Sequence, residues 1–231
     1  MLVLGFDTAA GAVSAALHDG HQVVAAAFTV DARRHAELLT PMIAKVMADA
    51  GAARGDLTAV AVGVGPGPYT GLRVGVMTAR VLGSVLDIPV YGVCSLDVIA
   101  AAVATQDAEF LVATDARRRE VYWARYAAAD PVAAGAGGAG RDRGRAVTRS
   151  AGPAVGRADS IPGAPELAVA GAGGQLYPGA FATAIGPAHP DARTLCEIAV
   201  GHQAPLLVPE PLYLRRPDAR EPGPPKRVTP P

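Results

Sequence analysis

The stretch GVGPGPYTGLRVGVMTAR, residues 63–80, is the first candidate for chemistry, because a glycine-rich turn that leads into a helix can hold a phosphate. A nucleotide-binding P-loop requires G-x-x-x-x-G-K-[ST]. Here the second glycine comes one residue too early after Gly67, and Leu72 stands where the lysine is required. A dinucleotide-binding fingerprint, G-x-G-x-x-G, ends on Thr70 when it is started from Gly65. The turn is therefore weak evidence for a phosphate site.

Two short segments with charged side chains form the second candidate. Asp7 ends the first apolar run, and the segment DARRR begins at Asp115. Magnesium requires several oxygen ligands, so these two aspartates give little support for an ATPase. A turn aspartate commonly accepts hydrogen bonds from backbone amides, which we expect of Asp7. Arginines also contact phosphates; we interpret Arg118 as part of a solvated turn and leave Arg117 and Arg119 open between these roles.

Nucleophiles and metal ligands are few. Cys94 and Cys196 lie far apart in apolar segments, which predicts buried free thiols rather than a disulfide or a redox pair. His18 and His21 flank an Asp-Gly turn with no further ligands beside them, and the other three histidines show no ligand spacing. No grouping of Ser, Cys, His and Asp indicates a nucleophile with its base. We expect neither a metal site nor a catalytic residue.

The composition indicates a globular chain with a sizeable core. It has 231 residues, half of them apolar, and its 21 basic and 21 acidic residues balance to a formal net charge of zero. A neutral chain has no strong overall attraction for a polyanion, so a partner is expected to hold any RNA. The sequence shows no unbroken apolar run of eighteen residues and no basic leader at its start, which predicts a soluble, cytoplasmic protein.

These candidate residues must be positioned by a mixed α/β fold. Apolar patterning predicts the order β-β-β-α-β-α-β-α-β-β up to about residue 126. The second helix, 71–86, carries glycine or alanine at every fourth position, a spacing that permits close packing against another helix. Periodicity alone supports packing of this stripe on the chain's own sheet equally well. Because a second apolar stripe runs along the same helix, we favour one face of the helix for the core and the other for a partner.

Composition changes in the second half of the chain. Residues 127–174 are rich in Gly, Ala and Arg and are predicted to form a flexible insert, with an apolar patch at Glu166 to Ala170 as a candidate strand. The Pro-rich tail, 217–231, is predicted to be disordered. The expected organisation is an N-terminal half, 1–105, that carries the partner-binding helices, and a smaller C-terminal half, 106–216, that contains the insert.

Several motifs in the same order resemble the TsaB (YeaZ) family. They are LGFDTA near the start, RRHAELLTPMI, the long block GVGPGPYTGLRVGVMTARVLGSVLDIPVYGVCSLDVIA, DARRREVYWARY and the late PEPLYLRRPDA. The resemblance covers most of residues 1–126 and a short piece at 209–219. Pro68-Tyr69 departs from the serine and phenylalanine usual in the family. The resemblance implies an actin-like ATPase fold built from two ribonuclease-H-like halves with mixed sheets, and a relation to the glycoprotease-like catalytic subunit TsaD.

The same resemblance implies a function without catalysis. The family supplies the dimerisation subunit that binds and activates a TsaD-type transferase in the threonylcarbamoylation of the adenosine beside the tRNA anticodon. The catalytic relative holds iron or zinc through an H-x-x-x-H helix, where this chain has Ser95 and Ile99. The chain is thus expected to be a pseudo-enzyme that holds no cofactor alone, with metal and ATP or threonylcarbamoyl-adenylate on partner subunits. A stand-alone glycoprotease-like peptidase or actin-like ATPase is the alternative.

The resemblance further implies partners and site residues. The partners are the TsaD-type subunit in a heterodimer, a TsaE-type ATPase, and tRNA through the complex, with a homodimer as an option when the chain is alone and no membrane contact. Asp7, Thr8, Asp115 and Arg117 would be vestigial residues of the nucleotide cleft. The helices matching 34–50 and 70–86 would form a four-helix bundle with the partner through Leu38, Leu39, Met42, Ile43, Val46, Leu72, Gly75, Val76, Ala79, Arg80 and Gly83.

Overall fold

A computed structural model describes residues 1–103, 108–128 and 147–215. The first sheet contains five strands in the spatial order β3-β2-β1-β4-β5. Strand β1 pairs antiparallel with β2 and parallel with β4, β2 pairs antiparallel with β3, and β4 pairs parallel with β5. The strands are β1 (Val3–Asp7), β2 (Ala12–His18), β3 (Val23–Val30), β4 (Ala59–Gly65) and β5 (Val90–Cys94).

Helices cover both faces of this sheet. Alternate β1 residues face opposite sides: Leu4 and Phe6 pack in one core with helices α1 (His35–Asp49) and α2 (Tyr69–Leu86). Val3 packs on the other side with helix α5 (Ala192–Gly201). The central strands are buried on both faces, which is why they read as continuous apolar runs in the sequence.

The second sheet repeats the first in topology. It has the order β8-β7-β6-β9-β10, again with an antiparallel three-strand meander followed by two parallel strands. The sequence shows no internal repeat that would predict this duplication. Helix α3 (Ser95–Ala101) connects the two sheets, and the short helix α4 (Ala172–Leu176) follows β9. The strands are β6 (Phe110–Asp115), β7 (Glu120–Tyr126), β8 (Arg149–Arg157), β9 (Ala168–Ala170) and β10 (Thr183–Ala184).

The predicted flexible insert is wrong for its C-terminal part. Residues 147–174 include β8 and α4, and β8 pairs with β7 along most of its length. Strand β9 lies within the candidate strand at Glu166 to Ala170. Small residues such as Gly and Ala suffice in β8 because strand pairing is made by backbone hydrogen bonds. Residues 129–146, and the tail 217–231 predicted to be disordered, lie outside the described residues. The strands of the two sheets lie on either side of residue 105, but α5, assigned by sequence to the second half, packs on β1 and β2.

A buried ionic cluster joins the two halves. The Asp97 carboxylate on α3 accepts a hydrogen bond of 2.6 Å from the Tyr126 hydroxyl at the end of β7. The Arg149 guanidinium at the start of β8 donates to both oxygens of the same carboxylate, at 3.1 Å and 2.5 Å. Asp97 is buried, so these bonds replace its lost hydration.

Candidate functional site: two helices and an arginine-tyrosine pocket

The small-residue stripe of α2 lies against the chain's own first half. A Cβ atom added to Gly71 would lie 2.5 Å from the Thr8 carbonyl oxygen, and one added to Gly75 would lie 2.6 Å from the Thr8 hydroxyl. A Cβ on Gly83 would collide with the Val90 side chain. The glycines therefore let α2 approach the turn after β1 and strand β5 closely, which is the core alternative weighed from the sequence.

The predicted partner interface is consequently wrong for most of its residues. Eight of them are buried within the chain: Leu39, Met42, Val46, Leu72, Gly75, Val76, Ala79 and Gly83. Leu38 and Ile43 are partly buried against the same core, and Arg80 is exposed. Helical periodicity shows which residues share a face but not which face meets the sheet, so the core stripe was mistaken for the partner stripe.

A different row of apolar side chains is exposed on α2. Met77, Val81 and Val85 are separated by four residues each and have 45%, 59% and 76% of their surfaces accessible. On α1, which packs beside α2, a row of small residues is exposed at the same spacing: Ala36, Thr40, Ala44 and Ala48. An adjacent exposed row consists of Glu37, Pro41, Lys45 and Asp49. Together the three apolar residues of α2 and the four small residues of α1 form what we term the α1–α2 outer face. None of these seven residues is among the interface residues predicted from the sequence.

Asp7 and Thr8 are buried structural groups at the end of β1. The Asp7 carboxylate accepts hydrogen bonds from the Ser95 hydroxyl at 2.6 Å and the Ala9 amide at 2.7 Å. Burial raises the pKa of Asp7, while the hydrogen bonds from Ser95 and Ala9 oppose this shift. The Thr8 hydroxyl donates to the Gly71 carbonyl oxygen at 2.7 Å. Asp7 therefore accepts from a turn amide, as expected from the sequence, and neither residue lines the pocket between the two halves.

A pocket of about 220 Å³ lies between the two halves. Its walls come from the turn before α2, the β6–β7 turn and the segment that follows residue 212. The lining residues are Gly67, Pro68, Tyr69, Ala116, Arg117, Arg118, Tyr122, Tyr213, Leu214 and Arg215. Of the predicted cleft residues, Arg117 thus lines this pocket, and Asp115 lies beside it, 3.5 Å from the Arg117 guanidinium. The tyrosines and Arg215 were missed because they come from segments distant in sequence.

Aromatic and cationic groups make ordered contacts around this pocket. The rings of Tyr69 and Tyr213 stack, with centroids 5.2 Å apart and an interplanar angle of 24°. The Arg73 guanidinium lies 4.4 Å from the centroid of the Tyr69 ring and donates to the Tyr213 hydroxyl at 3.3 Å. Arg215 donates to the Ala116 carbonyl oxygen at 3.0 Å and pairs with Glu120.

Neither cysteine is suited to nucleophilic chemistry. Both are buried free thiols, as the sequence predicts. Burial raises the pKa of Cys94 to about 12 and also raises the pKa of Cys196, so neither forms a thiolate near neutral pH. Within the described ranges, no three side chains of His, Cys, Asp or Glu come together as a metal-binding group. Ser95 and Ile99, at the positions aligned with metal ligands of the catalytic relative, are buried, and Ser95 bonds to Asp7.

The duplicated topology defines the class of protein. Two five-stranded sheets with the same strand order are the two ribonuclease-H-like halves of an actin-like ATPase fold, which confirms the fold class predicted from the sequence. A solved structure from Pseudomonas aeruginosa, described as similar to the peptidase YEAZ, matches with a TM-score of 0.73 and 26% identity, covering 93% of this chain and 99% of that one. YeaZ from the same organism matches with a TM-score of 0.68 and 25% identity, over 86% and 91% of the two chains.

Sequence comparison narrows the class to a family. A family model described as tRNA N6-adenosine threonylcarbamoyltransferase, TsaD, matches residues 28–154. The TsaB protein of Escherichia coli, a tRNA threonylcarbamoyladenosine biosynthesis protein, is 37% identical over 129 residues, which is 54% of this chain and 55% of that protein. An uncharacterized protein of Mycobacterium tuberculosis is 44% identical over 223 residues, covering 94% and 93% of the two chains. The chain belongs to the TsaB (YeaZ) family, as its motifs indicate.

Proposed function

We propose that this chain is a non-catalytic subunit that binds a TsaD-type transferase and activates it for threonylcarbamoylation of the adenosine beside the tRNA anticodon. A role in making this modified nucleoside is supported by the names of the TsaB relatives from Escherichia coli and Bacillus subtilis. The match to the TsaD family model supports a partner built on related helices, since similar halves can pack in a symmetric manner.

The exposed apolar row on α2 is the observation that carries the partner role. Val81 and Val85 are more than half exposed although they are aliphatic, and they lie in line with Met77. The neighbouring small side chains of α1 leave room for a partner helix to approach its backbone. A partner helix pair laid on the α1–α2 outer face would bury this row and leave the chain's own core undisturbed. This moves the interface predicted from the sequence to the opposite side of the same two helices.

The proposal assigns the chemistry to other subunits. Metal and ATP or threonylcarbamoyl-adenylate would be held by the transferase and a TsaE-type ATPase, and tRNA would be held through the complex. The buried thiols and the hydrogen-bonded side chains of Asp7 and Ser95 support this assignment, because they are structural rather than reactive groups. When the transferase is absent, the same outer face would join two copies of this chain. The complex would act in the cytoplasm; no helix in the described part of the chain is long and apolar enough to cross a membrane.

Co-elution with the TsaD-type subunit of the same cell tests the proposal. We expect a stable complex on a sizing column, and threonylcarbamoyl transfer to tRNA that requires both proteins. Val81→Asp should abolish the complex because it would bury an unpaired charge in the interface. Leu176→Asp is the matched control, since Leu176 is 51% exposed on α4, outside the outer face.

Two results would overturn the proposal. One is the absence of any complex together with ATP or peptide hydrolysis by this chain alone. The other is a complex that survives Val81→Asp and Val85→Asp together, which would place the partner elsewhere. Circular dichroism of each variant establishes that a lost complex does not reflect a lost fold.

A further inference from the structure

We propose that the pocket between the two halves binds a nucleotide of an RNA strand, with its phosphate on Arg117 and Arg215 and its base on the Tyr69–Tyr213 pair. The source of the nucleotide, RNA rather than a free nucleoside phosphate, rests on the proposed function. The recognition chemistry rests on the pocket itself.

The positive charge around the pocket supports phosphate binding. Three arginines line the pocket, Arg117, Arg118 and Arg215, and Arg73 contacts the Tyr69 ring beside it. Arg117 pairs with Asp115 and Arg215 pairs with Glu120. The chain as a whole is neutral, so this local excess of guanidinium groups is a departure from the average surface. Guanidinium groups bind phosphate through a planar fork of donors, and phosphate contacts provide most of the affinity for nucleic acids.

Aromatic side chains are the second argument. Tyr69 and Tyr213 are both more than one third exposed although their rings are stacked. A stacked pair with an arginine on one ring can be extended by another planar group, and bases stack on tyrosine with little dependence on sequence. Tyr122, a buried side chain, also lines the pocket. Rings beside arginines are the combination that single-stranded nucleic-acid sites use.

The backbone of the β6–β7 turn is the third argument. Arg117, Arg118 and Arg119 all have positive φ, at 61°, 55° and 61°. Such a run is unfavourable for residues with a Cβ, and strained backbone of this kind clusters where ligands are held. The turn is fixed from both sides, because the Asp115 carboxylate accepts from the Arg117 amide at 2.7 Å and the Ala116 carbonyl accepts from Arg215.

The size and position of the pocket favour one nucleotide of a strand. Its volume of about 220 Å³ is below the roughly 300–1,000 Å³ of typical small-molecule sites. Tyr69 is at the first turn of α2, and Met77, the outer-face residue nearest to it on this helix, lies about 12 Å away along the helix axis. The pocket therefore borders the outer face, and a strand reaching it could contact both proteins.

Fluorescence anisotropy of the free chain with 5′-fluorescein hexa-adenylate RNA is the test. We expect binding that weakens about tenfold in Tyr213→Ala and is restored in Tyr213→Phe, which keeps the ring. Arg117→Ala should weaken binding and make the slope of log affinity against log salt shallower by about 0.7, the value for one phosphate of a single strand. Arg193→Ala is the control, because Arg193 is also exposed and pairs with Asp191 at the start of α5, on the face of the first sheet opposite α2.

Competition by adenosine 5′-monophosphate separates the two sources of the nucleotide. Binding of the monophosphate at least tenfold weaker than that of the hexanucleotide supports a strand. Equal or tighter binding of the monophosphate would overturn the RNA assignment in favour of a free nucleotide. Absence of hexanucleotide binding, or an affinity and salt slope unchanged in Arg117→Ala and Tyr213→Ala, would overturn the site. Because the free chain is used, these results do not depend on whether the transferase complex forms.

Discussion

The Thr8 hydroxyl donates a hydrogen bond to the Gly71 carbonyl oxygen, which joins the turn after β1 to the first turn of α2 across 63 residues of sequence. This bond is made where a glycine stripe brings the helix against the turn. It establishes that the stripe belongs to the core of the first half.

Gly75→Ala is expected to lower the free energy of unfolding by about 1–3 kcal/mol, because the new methyl group would lie 2.6 Å from the Thr8 hydroxyl in a packed region. Urea unfolding followed by circular dichroism measures the change. Ser84→Ala, on the exposed side of the same helix, should alter stability little. Unchanged stability of Gly75→Ala combined with loss of the transferase complex would instead place the stripe in the partner interface.

Arg149→Met should destabilise the fold by about 2 kcal/mol, since it leaves the buried Asp97 carboxylate with the Tyr126 hydroxyl but without its cation. The loss is smaller than for a fully buried pair because Arg149 is partly exposed. Arg157→Met, which breaks an exposed pair, should change stability far less. Equal effects of the two substitutions in urea unfolding would show that Asp97 is hydrated.

Asp7→Asn should change the pH dependence of stability. Burial raises the pKa of Asp7 above its ordinary value of 3.8, so the folded state holds this proton more tightly than the unfolded chain. The contribution of Asp7 to stability is therefore greatest at low pH and declines as pH rises from about 3.8 through the raised pKa. Relative to the wild type, the asparagine variant should gain stability at pH 7 compared with pH 4.

The opposite sign is expected for an exposed carboxylate. Hydrogen bonding to Arg157 lowers the pKa of Asp159, so Asp159→Asn should lose stability at pH 7 compared with pH 4, though only slightly because the pair is exposed. Urea titrations of both variants at the two pH values measure these differences. Identical pH profiles for Asp7→Asn and the wild type would contradict the buried, protonatable carboxyl group.

Arg119→Gly is expected to stabilise the fold by about 1 kcal/mol, because glycine adopts the φ of 61° at this position without a Cβ penalty. Arg119→Ala keeps the penalty and should give no such gain. Thermal unfolding of the two variants compares them directly. A glycine variant no more stable than the alanine variant would show that the left-handed backbone at this turn carries no strain.

Sequence reasoning was most successful where burial dominates. The strand and helix order through β7 follows from apolar runs and helical periodicity, because the central strands are covered on both faces. It was wrong where composition replaced patterning: the Ala-rich and Gly-rich residues around Gly152 form the paired strand β8, since backbone hydrogen bonds need no large side chain.

The two candidate sites were harder to predict for a geometric reason. On α2 the buried and exposed stripes both have a four-residue spacing, and the difference depends on Thr8 and Val90, which are distant in sequence. The pocket combines Tyr69, Arg117 and Tyr213, each from a separate segment, and no local pattern links them. Only Arg117 was identified in advance, because a run of arginines in a turn is conspicuous by itself.

The packing of α5 on β1 and β2 has a consequence for how the protein is made. All five strands of the first sheet have been synthesised once the chain reaches residue 94. The helix that covers the second face of this sheet begins only at Ala192. Later still, Leu207 pairs with Gly92 at the edge of β5, and the Leu212 amide donates to the Val64 carbonyl oxygen. During synthesis, one apolar face of the N-terminal half therefore stays uncovered until α5 and the segment up to Leu212 have been made. A chaperone would be most useful during this interval.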